Sequence, residues 1–439
     1  MKKLFIKNLS GLPQNSSVIM PGWIAQKRHF GKLLFIDLQD STGSIQLVIE
    51  KDTIGEKNFG DALRIPLESA VEIEGLFQTN PRGQNEILVK KIQVITEATL
   101  QISPRPRSDF DIFDPKISAQ LLDYRHLYLR NPKIMAILRF RSQVMAIIRE
   151  WFELNEFLEF DAPILTPVPL YPGNIAMPIN VHGEQVYLSQ CAGFYLEAAV
   201  HAFERIYNMG PSFRGEESRS KRHLMEYWHI KAELAWGNRE DIISIVENLL
   251  QFVTTECQKR CQDIFEILEI DFCTDGLKAP YPRLSYEKAI EWLKANSFND
   301  AKFGESLSTA EEEALSTLFS GPFWITDVPR SVEPFPYVIN PEDSRVTMVA
   351  DLIASNGYGE LLGVAEKIFD SKMLEGRMKE KGLFDNPNYQ FIKDVHQAGC
   401  VPHIAFGMGL ERLIRWLLNI PHVRDAIPFP RVVRRHIMP

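Results

Sequence analysis

No apolar run in this chain approaches the roughly 18–20 residues that a membrane-spanning helix needs, so no membrane partner is expected. Cysteine is scarce: residues 191, 257, 261, 273 and 400, none of them in a CxxC pair. Cys257 and Cys261 stand four apart on an expected helix. Two ligands do not make a zinc site, however, and buried free thiols of a cytoplasmic protein are the plainer reading. The opening MKKLFIKNLSG holds lysines but no apolar h-region, so no export signal is expected. Positive charge is not in excess either. With 49 basic and 57 acidic residues the net charge is −8, and a nucleic-acid partner would have to meet a local basic patch. There is no internal repeat and no biased tract.

What is present is an ordinary globular composition over 439 residues, 45% of them hydrophobic, enough for two or three domains. Residues 17–96 read as five short alternating strands. Leu34, Ile36 and Leu38 share one face, and Ile45, Leu47 and Ile49 repeat the pattern after the turn DSTG at 40–43. Five strands in that span predict a small closed barrel of the OB type. Opposite its core face stand Phe35 and Gln46, with Arg28 just before: an aromatic to stack on a base, an amide to bond it, a guanidinium for phosphate. The plain alternative is that Phe35 packs under a loop. Residues 97–116, with Pro104, Pro106 and Pro115, read as a linker. Residues 117–439 mix helices and strands in no repeating βαβ order, which predicts an α+β domain. Within it, 131–157 has apolar residues at helical spacing, and 300–317 and 370–381 look peripheral.

One loop is crowded. In FRGEESRSKRHLMEYW, residues 213–228, eight of sixteen residues are charged or histidine. Alternation on both sides predicts two antiparallel strands with a polar surface. Arg214 on a strand suits a phosphate, since its planar fork holds two oxygens. Arg219, Lys221, Arg222 and His223 could fold over a polyphosphate, and Tyr227 could stack on a base. A solvated hairpin with weak ion pairs is the alternative. Near the C-terminus, HIAFGMGLERLIRWLLNI (403–420) is a glycine turn entering a helix, from which Arg412 leaves the apolar stripe. Asp351 and Glu360, nine residues apart, could hold Mg2+ against phosphates.

Together these stretches resemble the three signature motifs of class II aminoacyl-tRNA synthetases of subclass IIb. REWFELNEFLEFDAPILTP (149–167) resembles motif 1, the dimer element; FRGEESRSKRHLMEYW resembles motif 2; GMGLERLIRW resembles motif 3. VRDAIPFPR (423–431) and GWIAQKRHFGKLLFIDLQDSTGSIQLVIE (22–50) are close to asparaginyl and archaeal-type aspartyl enzymes. The resemblance implies an OB-fold anticodon-binding domain at 1–96 and an antiparallel-sheet catalytic domain at 117–439. It also implies a homodimer, ATP and Mg2+ as cofactors, and an amino acid and a tRNA as partners. Arg214, with Glu216 beside it, would grip the α-phosphate and the attacked carboxylate. Arg222 and His223 would clasp the phosphate tail, Tyr227 would stack on adenine, and Arg412 would reach the γ-phosphate. Asp351 and Glu360 would hold Mg2+. Arg28, Phe35 and Gln46 fall where such enzymes read the middle anticodon base, a uridine in both tRNAs. Leu196, where aspartyl enzymes have a lysine, points to asparagine.

The departures cluster on the amino-acid side. Pro172 stands where a glutamate is usual, Gly193 replaces a glutamine, and Gly363-Val364-Ala365-Glu366-Lys367 replaces a run ending in arginine. Ile404 and Ala405 replace small residues after His403. Each lost charged hydrogen bond would cost roughly 1.5–3 kcal/mol. Glu197, Lys367 and neighbours are the residues expected to compensate. Three functions stay open: an asparagine–tRNA ligase, a paralogue that adenylates another carboxylate or makes an amide, and a tRNA-binding module with a dead site.

Overall fold

Alternation over 17–96 produces the five strands expected of it. They are β1 (Ser17–Phe30), β2 (Leu33–Gln39), β3 (Ser44–Glu50), β4 (Ala70–Thr79) and β5 (Asn85–Thr96), closed in the order β1-β2-β3-β5-β4. The β2–β3 hairpin is set by Asp40, whose Oδ1 accepts from Thr42 N at 2.6 Å. Leu34, Ile36, Leu38, Ile45, Leu47 and Ile49 fill the barrel, each fully buried one stabilising it by roughly 1.5–3 kcal/mol. The helix Glu56–Arg64 closes one end with Phe59 and Ala62. The computed structural model describes residues 4–170, 175–218, 220–272 and 277–437.

The chain divides into two units, Met1–Pro132 and Lys133–Pro439. The first therefore takes in 97–116, and that segment is pinned rather than loose. Arg107 is buried against Glu68 at 2.5 Å and lies 4.7 Å from the Trp23 ring, while Arg105 donates to Ala25 O at 2.8 Å. Three contacts to the barrel explain why prolines and polar residues here do not behave as a flexible spacer.

The second unit is built on an eight-stranded sheet. Its strands are β6 (Leu158–Glu159), β10 (Arg205–Phe213), β11 (Glu226–Ala235), β12 (Arg283–Ser285), β13 (Phe323–Thr326), β14 (Val349–Ala354), β15 (Gly359–Lys367) and β16 (His403–Gly409). They run in the order β12-β13-β14-β15-β16-β11-β10-β6, antiparallel except at the two edges. The short β7 (Leu165–Thr166), β8 (Met177–Val181) and β9 (Glu184–Leu188) form a separate sheet. The expected long helix runs from Pro132 to Leu154 and buries Ile134, Ile137, Phe140, Val144, Ile148 and Trp151 at helical spacing. From it Arg141 reaches the buried Glu411 at 2.6 Å, and Glu411 also accepts from Trp228 N at 3.0 Å. This pair fastens the helix Leu410–Leu417 to β11 and so sets the position of Arg412.

The segment 300–317 is not peripheral, contrary to the sequence expectation. Ser308 and Glu311 form a capping box at the helix Thr309–Leu315. Leu315 is buried in the core, which turns Glu312 inward, 6% exposed. Among the described residues no helix is long and apolar enough to cross a membrane.

Candidate active site

Antiparallel pairing of β11, β16, β15 and β14 aligns one row of residues across four strands. Lys231 stands opposite Gly407, Gly407 opposite Gly363, and Gly363 opposite Asp351. The two glycines in the middle are required by close approach. A Cβ on Gly363 would meet Asp351 Oδ1 at 2.9 Å, and one on Gly407 would meet His229 Nε2 at 2.7 Å. Over this row lies a cavity of about 640 Å³ whose walls include Arg214, His223, Lys231, Asp351, Glu360 and Arg412. A smaller cavity of about 70 Å³ adjoins it, against Tyr227, His229, Gly409 and Arg412.

At the charged end the motif residues converge. Arg214 follows β10, its backbone N–H donating to Met225 O at 2.9 Å and its guanidinium 5.8 Å from the Tyr227 ring. His223 Nε2 is 3.4 Å from Glu216, and its Nδ1 is met by the hydroxyls of Ser218 and Ser220. Burial, then the nearby Arg412, Arg222 and Arg214, holds the His223 imidazole down to about 4, so the ring is neutral at pH 7. Arg412 forms a 3.0 Å ion pair with Glu360 and a 3.1 Å bond to its carbonyl. Arg222 is not on a free loop. Glu312 takes its guanidinium in a bidentate pair, with one bond at 2.7 Å, and also accepts from Glu360 N at 2.8 Å. Gly359, at φ +73°, is the residue that allows it, because a Cβ there would collide with Arg222. Glu312 is a site residue that sequence reasoning missed; in STAEEEAL it looks like any solvated acid.

Asp351 and Glu360 face one another diagonally on β14 and β15, where a register shift separates the pairings at Leu352 and Ile353. Burial, then Glu360, Glu333 and Glu312, pushes the Asp351 carboxyl well above the carboxylate range. Burial works the same way on Glu360, but Arg412, Arg222 and Arg214 override it and hold that carboxyl low. Hard oxygen donors in mutual repulsion fit Mg2+, with phosphate oxygens and water completing its shell. Among the described residues no cluster of three or more His, Cys, Asp and Glu could hold a metal without such help.

The amino-acid side departs most from expectation. Lys367 and Glu197 pair at 2.8 Å, Glu233 lies 3.7 Å from the same ammonium, and His396 lies 3.5 Å from Glu197, all of them buried. His403 joins this group, with Nδ1 bound to Val401 O at 2.9 Å and its ring 5.0 Å from that of His201. Burial drives the His403 imidazole down to about 4, against the pull of Glu197. Glu197, Lys367 and His403 are therefore grouped beyond Ala365 and Ala405, on the same face of the sheet as Gly363 and Gly407, and are not among the residues that line the cavity. Gly193 opens the helix Gly193–Phe203, and a Cβ there would meet Lys231 Nζ at 3.0 Å. Ile404 points away from the cavity. It packs against Gly237 on the far face of the sheet, while Val364 and Ala405 are on the cavity wall. Pro172 and Arg219 lie outside the described residues, as does Cys273.

In the barrel unit, Arg28 pairs across the strands with Phe35. Its guanidinium reaches Asp37 at 3.1 Å and Gln46 Oε1 at 3.3 Å, and Gln46 donates to Glu86 at 3.1 Å. Arg28, Phe35 and Gln46 thus share one outer face. Phe30, 65% exposed, stands edge-on to Phe35 at 6.2 Å and was missed because it falls at a strand end.

A profile of the tRNA synthetases class II (D, K and N) matches residues 118–433, and one of the OB-fold nucleic acid binding domain matches 18–95. The asparaginyl-tRNA synthetase from Pyrococcus horikoshii complexed with asparaginyl-adenylate superposes with a TM-score of 0.92 at 32% identity, over 100% of both chains. The Entamoeba histolytica asparaginyl-tRNA synthetase in complex with asparaginyl-adenylate gives 0.86 at 25% identity, over 99% of both. The aspartyl tRNA synthetase from Entamoeba histolytica gives 0.83 at 23%, over 100% of this chain and 93% of that one, which is a likeness of fold.

Proposed function

Since this chain belongs to the class II tRNA synthetases, we propose that it activates an amino acid of the asparagine–aspartate group with ATP and passes the acyl group to a tRNA. The observation that carries the reading is the convergence of Arg214, His223 and Arg412 with Asp351 and Glu360 on one cavity. The substrate carboxylate attacks the α-phosphorus in line, the bond to the β-phosphate breaks, and pyrophosphate leaves. A ribose hydroxyl of the tRNA then takes the acyl group and releases AMP. Neither step needs a protein nucleophile, so positioning and charge neutralisation are what this chain supplies.

Arg214 holds the attacking carboxylate and the α-phosphate together, two anions that would otherwise repel. Arg412 and Arg222 exchange their carboxylate partners for phosphate oxygens, so each guanidinium keeps an anionic partner throughout. Neutral His223 is a hydrogen-bond partner for the phosphate tail, and Tyr227 is the stacking surface for adenine. Asp351 and Glu360 would hold Mg2+, which supplies neutralisation of phosphate charge when bound. Arg28, Phe35 and Gln46 would read a uridine at the middle of the anticodon, with stacking as the main term. The motif 1 stretch 149–167 leaves Leu154, Leu158, Ile164 and Leu165 exposed, which supports a homodimer through that face. A cytoplasmic setting fits the free thiols Cys191, Cys257, Cys261 and Cys400.

The test is ATP–pyrophosphate exchange with each of the twenty amino acids, with and without tRNA, followed by charging of tRNA transcripts. Exchange with asparagine or aspartate and acylation of a tRNA with a middle uridine is the expected result. Exchange without acylation of any tRNA would leave an adenylating paralogue. ATP binding with no exchange for any acid would sink the reading.

A further inference from the structure

The row Lys231–Gly407–Gly363–Asp351 leaves one charge unaccounted for. Lys231 is 7% exposed and lies on the cavity wall, yet no carboxylate comes within 4.0 Å of its Nζ among the described residues. Among the described residues its polar contact is the Cys191 thiol at 3.8 Å. Glu233, two residues along the same strand, is committed to Lys367, and so is Glu197. A buried ammonium without a counter-ion is costly, and one facing a ligand cavity is relieved when the ligand brings the missing charge. Space for it is built in. Gly193 has no side chain at the point 3.0 Å from Nζ, and Gly407 and Gly363 keep the floor between Lys231 and Asp351 bare. Across three strand spacings that floor measures about 14 Å from Cα to Cα.

Resting on the proposed adenylation, we propose that Lys231 determines specificity at the acid end of this cavity. The substrate carries, besides the carboxylate that is activated, a second anionic group set against Lys231. Leu196 gives the pocket no ammonium from the helix, and Lys231 supplies one from β11 instead. Lys367, farther along the same face, cannot do so, because it is already paired with Glu197 and Glu233. Glu333 also lines the wall, without an ion pair among the described residues, and offers an acceptor for a substrate ammonium, not a partner for Lys231. In the reaction the first carboxylate forms the O–P bond and the electron pair of the broken bond leaves with pyrophosphate. The second carboxylate keeps its charge throughout, so no proton or oxidant enters the balance. Asparagine places a neutral amide where Lys231 needs an anion.

Two measurements separate this inference from the reading beneath it. Binding of aspartate, succinate and asparagine is measured by calorimetry in the presence of a non-hydrolysable ATP analogue, and exchange is measured with the same three acids. The expected result is binding of aspartate or succinate at least tenfold tighter than asparagine, lost in Lys231→Met and largely kept in Lys231→Arg, with melting curves confirming that both variants fold. Exchange should follow the same order, with the loss in KM more than in kcat. Tighter binding of asparagine, equal binding of all three, or a preference unchanged in Lys231→Met overturns the inference. Anion-selective binding without any exchange would leave Lys231 as proposed and overturn the adenylation reading instead.

Discussion

The two ends of the cavity handle buried charge in opposite ways. At the nucleotide end two guanidiniums have carboxylates that a phosphate can replace, Glu312 for Arg222 and Glu360 for Arg412, and the neutral His223 has Glu216 beside it. At the acid end Lys367, Glu197, Glu233, His396 and His403 are buried together, and among the described residues Lys231 and Glu333 stand on the cavity wall without an ion pair. The first arrangement is a binding site in a waiting state, the second a structural cluster. Similar residue types thus serve ligand exchange in one place and rigidity in the other, and the deciding variable is access to the cavity.

The comparison is broken most strongly at the cluster. Lys367→Met leaves Glu197 and Glu233 buried without their cation, and stability should fall by about 3–5 kcal/mol in urea titrations, whatever ligand is present. An intact urea midpoint would mean that Lys367 is not structural. The matching change at the other end, Arg214→Ala, should leave the midpoint within about 0.5 kcal/mol while slowing ATP–pyrophosphate exchange by about 10²–10³-fold. A stability loss with normal exchange would reverse the assignment of the two ends. Between them stands Glu312→Gln. Arg222 then lacks a counter-charge until ATP arrives, so the ligand-free protein should lose about 1–3 kcal/mol. ATP should raise Tm more in this variant than in the parent; an equal rise would show that Arg222 never turns to phosphate. In the barrel, Phe35→Ala should weaken tRNA charging by about 1–3 kcal/mol through KM for tRNA and leave exchange alone.

How far each end was legible follows from the same contrast. The barrel is readable because period-two alternation decides which residues face in, and the nucleotide end because most of its charged residues lie in two contiguous runs, 213–228 and 403–420. Glu312 was not readable, since nothing in STAEEEAL marks which acid turns inward; that depends on the cap at Ser308 and on Leu315 entering the core. The acid end was less legible for a related reason. Position in a motif placed Lys367 and His403 on the substrate, whereas partners from distant segments, Glu197 and Glu233 among them, engage Lys367 beyond the cavity wall. Lys231 went unnoticed because a lysine on a strand is usually a solvated one, and only the register of four strands puts it beside Gly193 and over a glycine floor.

The most discriminating expected effect uses one residue type at both ends. His223 and His403 are each held at about 4 in the native protein, below the ordinary 6.5. Both are therefore neutral when folded, while the unfolded chain takes up protons as pH falls through 6.5. The unfolded state then binds more protons between pH 6.5 and 4, so stability is full above about 6.5 and declines as pH drops toward 4, by no more than about 3 kcal/mol for each ring. His223 faces Arg214, Arg222, Arg412, Glu216 and Glu360; His403 faces Glu197, Lys367 and His201. ATP brings phosphates to His223, favours its protonated form and should cancel its share of the decline, with proton uptake visible in calorimetry below pH 6. His403, shut away from the cavity, should be indifferent to ATP. In urea midpoints measured across this range, His223→Gln should remove the part that responds to ATP and His403→Gln the part that does not. If ATP left the slope of the parent protein unchanged, the nucleotide end would be as closed as the acid end, and the contrast between exchange and closure would fail there.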